Sequence, residues 1–230
     1  MNEDLADGAA PALPTDTPTD APTGARDGRV DGRTRRGDRT RRVVLGKAVD
    51  VASVEGLEGL SIGRLATELS ISKSGLIAHF GSKEQLQLAT IRAARAIFVT
   101  TVIEPALAAP PGLGRLRALL EAWLDYSSDR RFPGGCFFAR ASHEHAARPG
   151  AVRDALAAID QEWVGLITRT ILEAQEAGDL STEVDAGLLA FDLVAYLDSA
   201  NLRSLLMGSN DVYSQARRAI LERLASVSSR

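Results

Sequence analysis

Cys136, His143 and His145 are the residues best suited to nucleophilic or metal chemistry, and their spacing argues against both. On a helix, Cys136 and His143 would share a face but lie about 10 Å apart along the axis, too far for a thiolate pair. His143 and His145 would point to opposite sides, and Ala147 breaks a His-Glu-x-x-His zinc pattern. We therefore expect no catalysis, no metal and no cofactor. Cys136 is interpreted as a small buried residue or pocket wall in preference to a redox sensor.

The segment Ser61–Leu86 has residues suited to contacts with nucleic acid. Two short helices are predicted there, one capped by Ser61 and one starting at Ser72, with a tight turn between them. They pack through Leu65 and Leu76, which satisfies the plan of a helix-turn-helix. The second helix, roughly 13 Å long, is comparable with the roughly 12 Å width of the major groove. Its outer face presents Lys73, Ser74, Gly75, Ile77, Ala78 and His79. The alternative is an ordinary small helical bundle, in which His79 packs and caps instead of touching DNA.

Charge is distributed unevenly along the 230 residues, whose formal net charge is only −3. Between Arg26 and Lys47, nine basic residues are opposed by three aspartates. Residues 1 to about 25 hold almost no large apolar side chain and are expected to be disordered. The basic segment to about Arg39 is expected to be a solvated arm, and at about 3.3 Å per residue it could extend some 40 Å to reach a minor groove or phosphates. The alternative is that the arm is only solvated.

The elements that must position these residues are all predicted to be helices. Helix one follows Thr40 and ends at Gly56, and a capping box of Ser82 and Gln85 starts a long helix that reaches about Glu104. Clustered prolines then mark a boundary. Five further helices are predicted at about 113–128, 136–147, 150–177, 183–208 and 211–227. The fold class is therefore all-α, with a disordered tail and Arg-rich arm (1–38), a helix-turn-helix domain (39–86) and a second helical domain (87–230).

Several of these residues stand in a pattern that resembles the tetracycline-repressor (TetR) family of bacterial transcriptional regulators. The matching positions are Val44-Leu45, Ala48, Gly56, Leu65-Ala66, Ile71-Ser72-Lys73, Leu76, His79-Phe80 and Ser82-Lys83-Glu84-Gln85-Leu86. A weaker resemblance to the regulatory half of one branch of the family lies at Gly134-Gly135-Cys136-Phe137-Phe138 and Arg148-Pro149-Gly150. Three positions depart from the family pattern: Ile77 stands where Tyr is usual, Ala52 where Phe is usual, and Ser70 where Gly is frequent. A left-handed Ser70 would cost on the order of 1 kcal/mol.

The resemblance implies a homodimeric repressor that binds a pseudo-palindromic, double-stranded operator and is released by a small hydrophobic effector. It assigns DNA contacts residue by residue. Groove-facing positions are Lys73, Ser74, Gly75 and His79, and Ile77 could touch a thymine methyl. Phosphate contacts are expected from Thr40, Ser61, Arg64 and Lys83. Lys83 has an independent argument, because it lies in the first turn of a helix, where the N–H groups and helix dipole favour a phosphate.

The second domain holds most of the aromatic residues, and the resemblance implies that some of them line an effector pocket. The candidates for ligand binding are Trp123, Tyr126, Cys136, Phe137, His143, Trp163 and Tyr196. The last two helices are expected to form the dimer surface. No run approaches the roughly 20 apolar residues of a spanning helix, so we expect a cytoplasmic protein without a membrane partner. Two alternatives remain open: an all-helical enzyme acting on a hydrophobic small molecule, and a regulator that works through protein partners and binds DNA weakly.

Overall fold

The computed structural model describes the backbone of residues 28–229, with side chains from Arg35 onward except that of residue 36. The expectation for the N-terminal tail falls on residues 1–27 and lies outside the described residues. Within the described part the fold is all-α, as predicted. The helices are α1 (Gly28–Glu55), α2 (Ile62–Glu68), α3 (Lys73–Phe80), α4 (Lys83–Phe98), α5 (Glu104–Leu107), α6 (Leu113–Ser128), α7 (Phe137–His145), α8 (Ala151–Glu176), α9 (Ala186–Met207) and α10 (Asp211–Ser226).

Helix α1 begins earlier than the sequence pattern indicates. The predicted start was after Thr40, whereas the helix begins at Gly28. The prediction of an extended arm before Thr40 is therefore wrong for residues 28–39, since a helix rises only about 1.5 Å per residue. Apolar periodicity reveals a helix only where one face is buried, and the described α1 residues before Val44 include no buried side chain. Arginine is a good helix former, so a helix can continue there without an apolar stripe. The predicted end is confirmed: α1 stops at Glu55, and Gly56 has a φ of +84°.

Serine caps define the starts of the next three helices, as the sequence indicates. The hydroxyl oxygens of Ser61, Ser72 and Ser82 accept hydrogen bonds from the N–H groups of the residues three positions later, at 3.4, 3.1 and 3.1 Å. Between α2 and α3, Ser70 has a φ of +54°, so the left-handed turn expected at this position is present without glycine. These local features fix the angle at which α3 leaves α2.

The helical segment after Ser82 continues beyond α4. A π-helical turn at Val99–Ile103 joins α4 to α5, whose Pro105 cannot donate an N–H to the carbonyl of Thr101. The combined segment Lys83–Leu107 is long and apolar enough to cross a membrane by length and composition alone. It packs against α6 and α8, and 44% of its most apolar window is buried within the protein. A core helix has these same properties.

Helices α6 to α10 have ends within about three residues of the predicted ends. Helix α9 is apolar on more than one face, as predicted: Leu189, Leu193 and Leu197 are buried, while other large side chains of α9 are exposed. A buried polar network joins α6, α9 and α10. In this network the Ser127 hydroxyl donates to Asn201 at 3.0 Å and lies 2.7 Å from the Tyr213 hydroxyl.

Candidate nucleic-acid interface and pocket

Helix α3 turns one face into the protein and the other to solvent. Leu76 and Phe80 are buried, whereas Lys73, Ser74 and Ile77 are exposed. The Ile77 side chain is also 45% exposed. His79 and Gly75 are half-buried at the edges of the exposed face. The five residues predicted to reach a DNA groove therefore lie on or beside one accessible surface.

Both ends of α3 are held by specific contacts. At the start, a Cβ on Gly75 would lie 2.9 Å from the Ser72 hydroxyl oxygen, so the small residue keeps the cap compact. At the end, the Arg41 guanidinium donates to the His79 carbonyl oxygen at 2.8 Å and lies 4.7 Å from the centre of the Phe80 ring. No local pattern of residues marks this role, because Arg41 stands 38 residues before His79 within a run of basic residues.

Arg64 and Ser61, two of the predicted phosphate contacts, lie at the start of α2. The Ser61 hydroxyl caps the helix, and the Arg64 guanidinium forms ion pairs with Glu55 and with Glu68, the latter at 2.7 Å. Lys47 pairs with Glu68 at 3.1 Å as well. Hydrogen bonds from Arg64 hold the pKa values of both glutamates below their usual range. Arg64 therefore ties α1 to α2 in addition to any contact with DNA. Thr40, the third predicted contact, is half-buried on α1.

Lys83, the fourth predicted phosphate contact, is likewise engaged by the protein itself. Its ammonium donates to the Glu58 carbonyl oxygen at 2.7 Å and to the Glu58 carboxylate at 2.8 Å. Gln87, one turn later on α4, donates to the Leu57 carbonyl oxygen at 3.0 Å. Hydrogen bonds from Lys83 and Gln87 lower the pKa of Glu58. Helix α4 thus holds the loop between α1 and α2 through its first two turns.

Helix α7 also holds the loop between α1 and α2. The Glu144 carboxylate, on α7, accepts hydrogen bonds from the Leu57 N–H at 2.6 Å and the Glu58 N–H at 3.2 Å. Only 13% of the Glu144 side chain is exposed. A Cβ on Gly56 would lie 2.5 Å from this carboxylate, so a larger residue would displace it. Sequence reasoning missed Glu144, because it stands 87 residues from Leu57 and no local pattern marks it.

A pocket opens between α4, α6, α7, α8 and α9. Its empty volume, including the space open to solvent at the mouth, is about 670 Å³. It is lined by Phe98, Trp123, Cys136, Phe138, Ala139, Ser142, His143, Leu156, Ile159, Asp160, Trp163, Val194 and Asp198. Four of the predicted ligand residues, Trp123, Cys136, His143 and Trp163, are among them. Burial raises the pKa of the Cys136 thiol to about 11, which keeps it protonated.

Three residues predicted to bind ligand do not line this pocket. Phe137 is fully buried, and its ring packs against Phe138. Tyr126 is buried behind Phe98, with ring centres 5.4 Å apart, and Tyr196 lies in a separate groove between α9 and α10. An aromatic residue type predicts that a side chain is buried, but the packing of the helices decides which rings line a cavity. For the same reason the sequence did not single out Phe98, Asp160 or Asp198, which do line it.

Comparison with family models gives two matches that together span both domains. Residues 44–90 match the model described as bacterial regulatory proteins, tetR family. Residues 112–220 match the model described as tetracyclin repressor-like, C-terminal domain. The first match contains α2 and α3, and the second contains most of the residues that line the pocket.

Solved structures with the same fold are numerous. A TetR-family regulator from Cytophaga hutchinsonii is 18% identical with a TM-score of 0.75, covering 85% of this chain and 98% of its own. A TetR-family regulator from Streptomyces coelicolor is 25% identical with a TM-score of 0.69, covering 84% and 96%. AibR, solved with isovaleryl coenzyme A and operator DNA, is 23% identical with a TM-score of 0.59, covering 70% and 85%. A search of curated protein sequences finds no match.

Proposed function

The chain belongs to the tetR family of bacterial regulatory proteins, and on that premise we propose that it is a ligand-responsive repressor of transcription. Two copies bind a pseudo-palindromic operator, and a small hydrophobic effector releases them. The observation that carries this proposal is helix α3, whose exposed face is accessible along its whole length while its inner face and both ends are fixed. A rigid helix with an open polar face suits entry into a major groove.

The proposed contacts divide into base-reading and phosphate-binding residues. Lys73, Ser74, Gly75 and His79 face the bases, and Ile77 packs against a thymine methyl. The phosphate contacts come from Thr40, Ser61, Arg64 and Lys83. For Arg64 and Lys83, binding requires the cation to share its carboxylate partner or exchange it for a phosphate oxygen. Exposed ion pairs contribute only about 0–1 kcal/mol, so this exchange costs little.

The proposed dimer forms through α9 and α10. Exposed apolar side chains on α9 are Leu188, Phe191, Leu202, Leu205, Leu206 and Met207. An isolated large apolar residue at the surface is ordinary, but a series of them along one helix suits an interface with a second copy. In the proposed dimer the two α3 helices bind half-sites about 34–36 Å apart.

The proposed effector pocket is linked to the DNA-contact surface through α4. Phe98, at the end of α4, lines the pocket, and Lys83, at its start, holds the loop between α1 and α2. A ligand that displaces Phe98 would therefore shift the elements that carry α3. AibR, crystallised with an acyl coenzyme A and operator DNA, supports the idea that this fold accommodates both partners. The proposed site of action is the cytoplasm, and the proposed function requires neither a cofactor nor enzymatic activity.

Fluorescence anisotropy with a labelled duplex from the region upstream of the protein's own gene tests the proposal. We expect tight binding at low salt, a footprint with two-fold symmetry, and at least a tenfold loss of affinity for Lys73→Ala. The matched control is Arg117→Ala, which removes one positive charge from an exposed position on α6. Failure of the unmodified protein to bind duplex DNA at low ionic strength would refute the proposal, because phosphate contacts are strongest under that condition.

A further inference from the structure

The pocket between α4, α6, α7, α8 and α9 has a composition that selects one class of ligand. Its walls are mainly apolar and include four aromatic rings, of which those of Phe98 and Trp163 meet edge to face with centres 5.3 Å apart. The Phe98 and Phe138 rings meet in the same way at 5.8 Å. Its empty volume of about 670 Å³ includes space open to solvent at the mouth, so the part enclosed by these walls is small. The walls therefore suit a compact ligand with an apolar or aromatic body.

The charge in the pocket is negative. Asp160 on α8 and Asp198 on α9 line it, and no lysine or arginine is found among the described residues that do. Burial raises the pKa of Asp198, the neighbouring Asp160 raises it further, and His143 opposes the shift. The two carboxylates thus repel one another, and a positive charge bound beside them would remove that repulsion.

Two other carboxylates on the same helices form ion pairs with arginines, whereas Asp160 and Asp198 do not. On α8, Glu162 pairs with Arg95 at 2.7 Å, and on α9, Asp192 pairs with Arg223 at 2.9 Å. Asp160 and Asp198 are both exposed to solvent, and within the described part of the chain neither forms a hydrogen bond or an ion pair. Carboxylates that lie beside aromatic rings without a protein partner are suited to a cationic ligand, which can contact both.

We propose that the effector is a hydrophobic organic cation, an amine or quaternary ammonium compound. Its charged group lies beside Asp160 and Asp198, and its apolar body packs on Trp123, Trp163 and Phe98. This inference rests on the proposed function, since it names the ligand class of the effector pocket. A cation over an aromatic face and beside a carboxylate gains from both, and tryptophan gives the strongest of these ring contacts. An anionic ligand would meet the two carboxylates unpaired.

The chain offers a direct probe, because it contains two tryptophans and both line the pocket. Tryptophan fluorescence of the full-length protein is titrated with phenyltrimethylammonium chloride, with tert-butylbenzene and with sodium benzoate. tert-Butylbenzene has the shape of the cation, with carbon in place of the charged nitrogen. We expect the cation to bind at least tenfold more tightly than the neutral isostere, and benzoate to bind more weakly than either. Equal affinity for the cation and its isostere would overturn the inference.

Substitutions locate the charge. Asp160→Asn and Asp198→Asn are each expected to weaken cation binding about tenfold and to change tert-butylbenzene binding less than twofold. Asp154→Asn, on the same helix but outside the pocket, changes the net charge equally and should leave both affinities unaltered. Thermal melts establish that each variant is folded. If Asp160→Asn and Asp198→Asn retain full affinity for the cation, or alter only the monomer–dimer equilibrium in sedimentation, the inference is wrong.

The operator assay separates this inference from the proposed function. If the repressor function and the cation site are both correct, phenyltrimethylammonium lowers the operator affinity of the unmodified protein. The Asp198→Asn variant then requires about tenfold more phenyltrimethylammonium for the same effect. If the protein binds its operator and the cation neither quenches fluorescence nor releases DNA, the ligand class is wrong and the repressor function stands. If no duplex is bound while the cation still quenches fluorescence with the expected preference, the repressor function fails and the cation site stands.

Discussion

Replacing Glu144 by glutamine should release the loop between α1 and α2 from the second domain. The Glu144 carboxylate accepts from the Leu57 N–H at 2.6 Å and the Glu58 N–H at 3.2 Å, and the side chain is largely buried. Hydrogen bonds to a charged group contribute about 1.5–3 kcal/mol each. Glutamine keeps one acceptor oxygen but loses the charge, and the longer bond is exposed, so we expect the free energy of unfolding to fall by about 2 kcal/mol in total.

Two measurements check this expectation. A loss of about 2 kcal/mol in a protein of this size lowers the midpoint of thermal unfolding by roughly 4–8 °C, measured at one fixed protein concentration because dimerisation also stabilises. Native-state hydrogen exchange should show the Leu57 and Glu58 amides exchanging about 30-fold faster, since each 1.4 kcal/mol is a factor of ten. The exchange measurement distinguishes a local release of the loop from a general loss of packing.

The matched control is Glu162→Gln, which removes a carboxylate from an exposed ion pair with Arg95. Exposed pairs contribute about 0–1 kcal/mol, so this variant should melt close to the unmodified protein. The reasoning fails if the free energy of unfolding of Glu144→Gln lies within about 0.5 kcal/mol of that of the unmodified protein and its loop amides exchange at the original rate. In that case the two hydrogen bonds would contribute no net stability, and α7 would not hold the loop.

Four further outcomes are expected. Arg41→Ala should lower operator affinity and reduce stability by about 1–2 kcal/mol, because it removes a hydrogen bond and a cation–π contact at the end of α3. Calorimetry measures the stability and anisotropy the operator affinity, and equal values for Arg41→Ala and the control Arg117→Ala would contradict this. Lys83→Ala should flatten the log-log salt dependence of operator binding by about 0.9; an unchanged slope would restrict Lys83 to its pairing with Glu58. With a pKa of about 11, only about 0.1% of the Cys136 thiol is ionised at pH 8. Alkylation of the folded protein by iodoacetamide should therefore be far slower than alkylation of the urea-unfolded chain. Equal rates would contradict the burial of Cys136. Ser70→Gly should stabilise the protein by up to about 1 kcal/mol in urea unfolding because the left-handed φ of +54° is then unstrained, and a loss of stability would show that the serine side chain is needed there.

The sequence alone determined the features that depend on neighbouring residues. Serine caps at Ser61, Ser72 and Ser82 and the glycine stop at Gly56 were all identified correctly, because each depends on a hydrogen bond or a φ angle within a few residues. Apolar periodicity likewise predicted the ends of α6 to α10, since a helix with a buried face repeats its apolar residues every three to four positions. The all-α fold and the family resemblance follow from these same local signals.

Tertiary packing alone decided which side chains meet across the fold. Periodicity shows which face of a helix is buried but not which helix covers it, so Tyr126, Phe137 and Tyr196 could not be separated from the rings that line the pocket. The pairing of Glu144 with the Leu57 N–H and of Arg41 with the His79 carbonyl joins residues 87 and 38 positions apart. Such contacts depend on how the helices are arranged in space, and no local pattern of residue types encodes that arrangement.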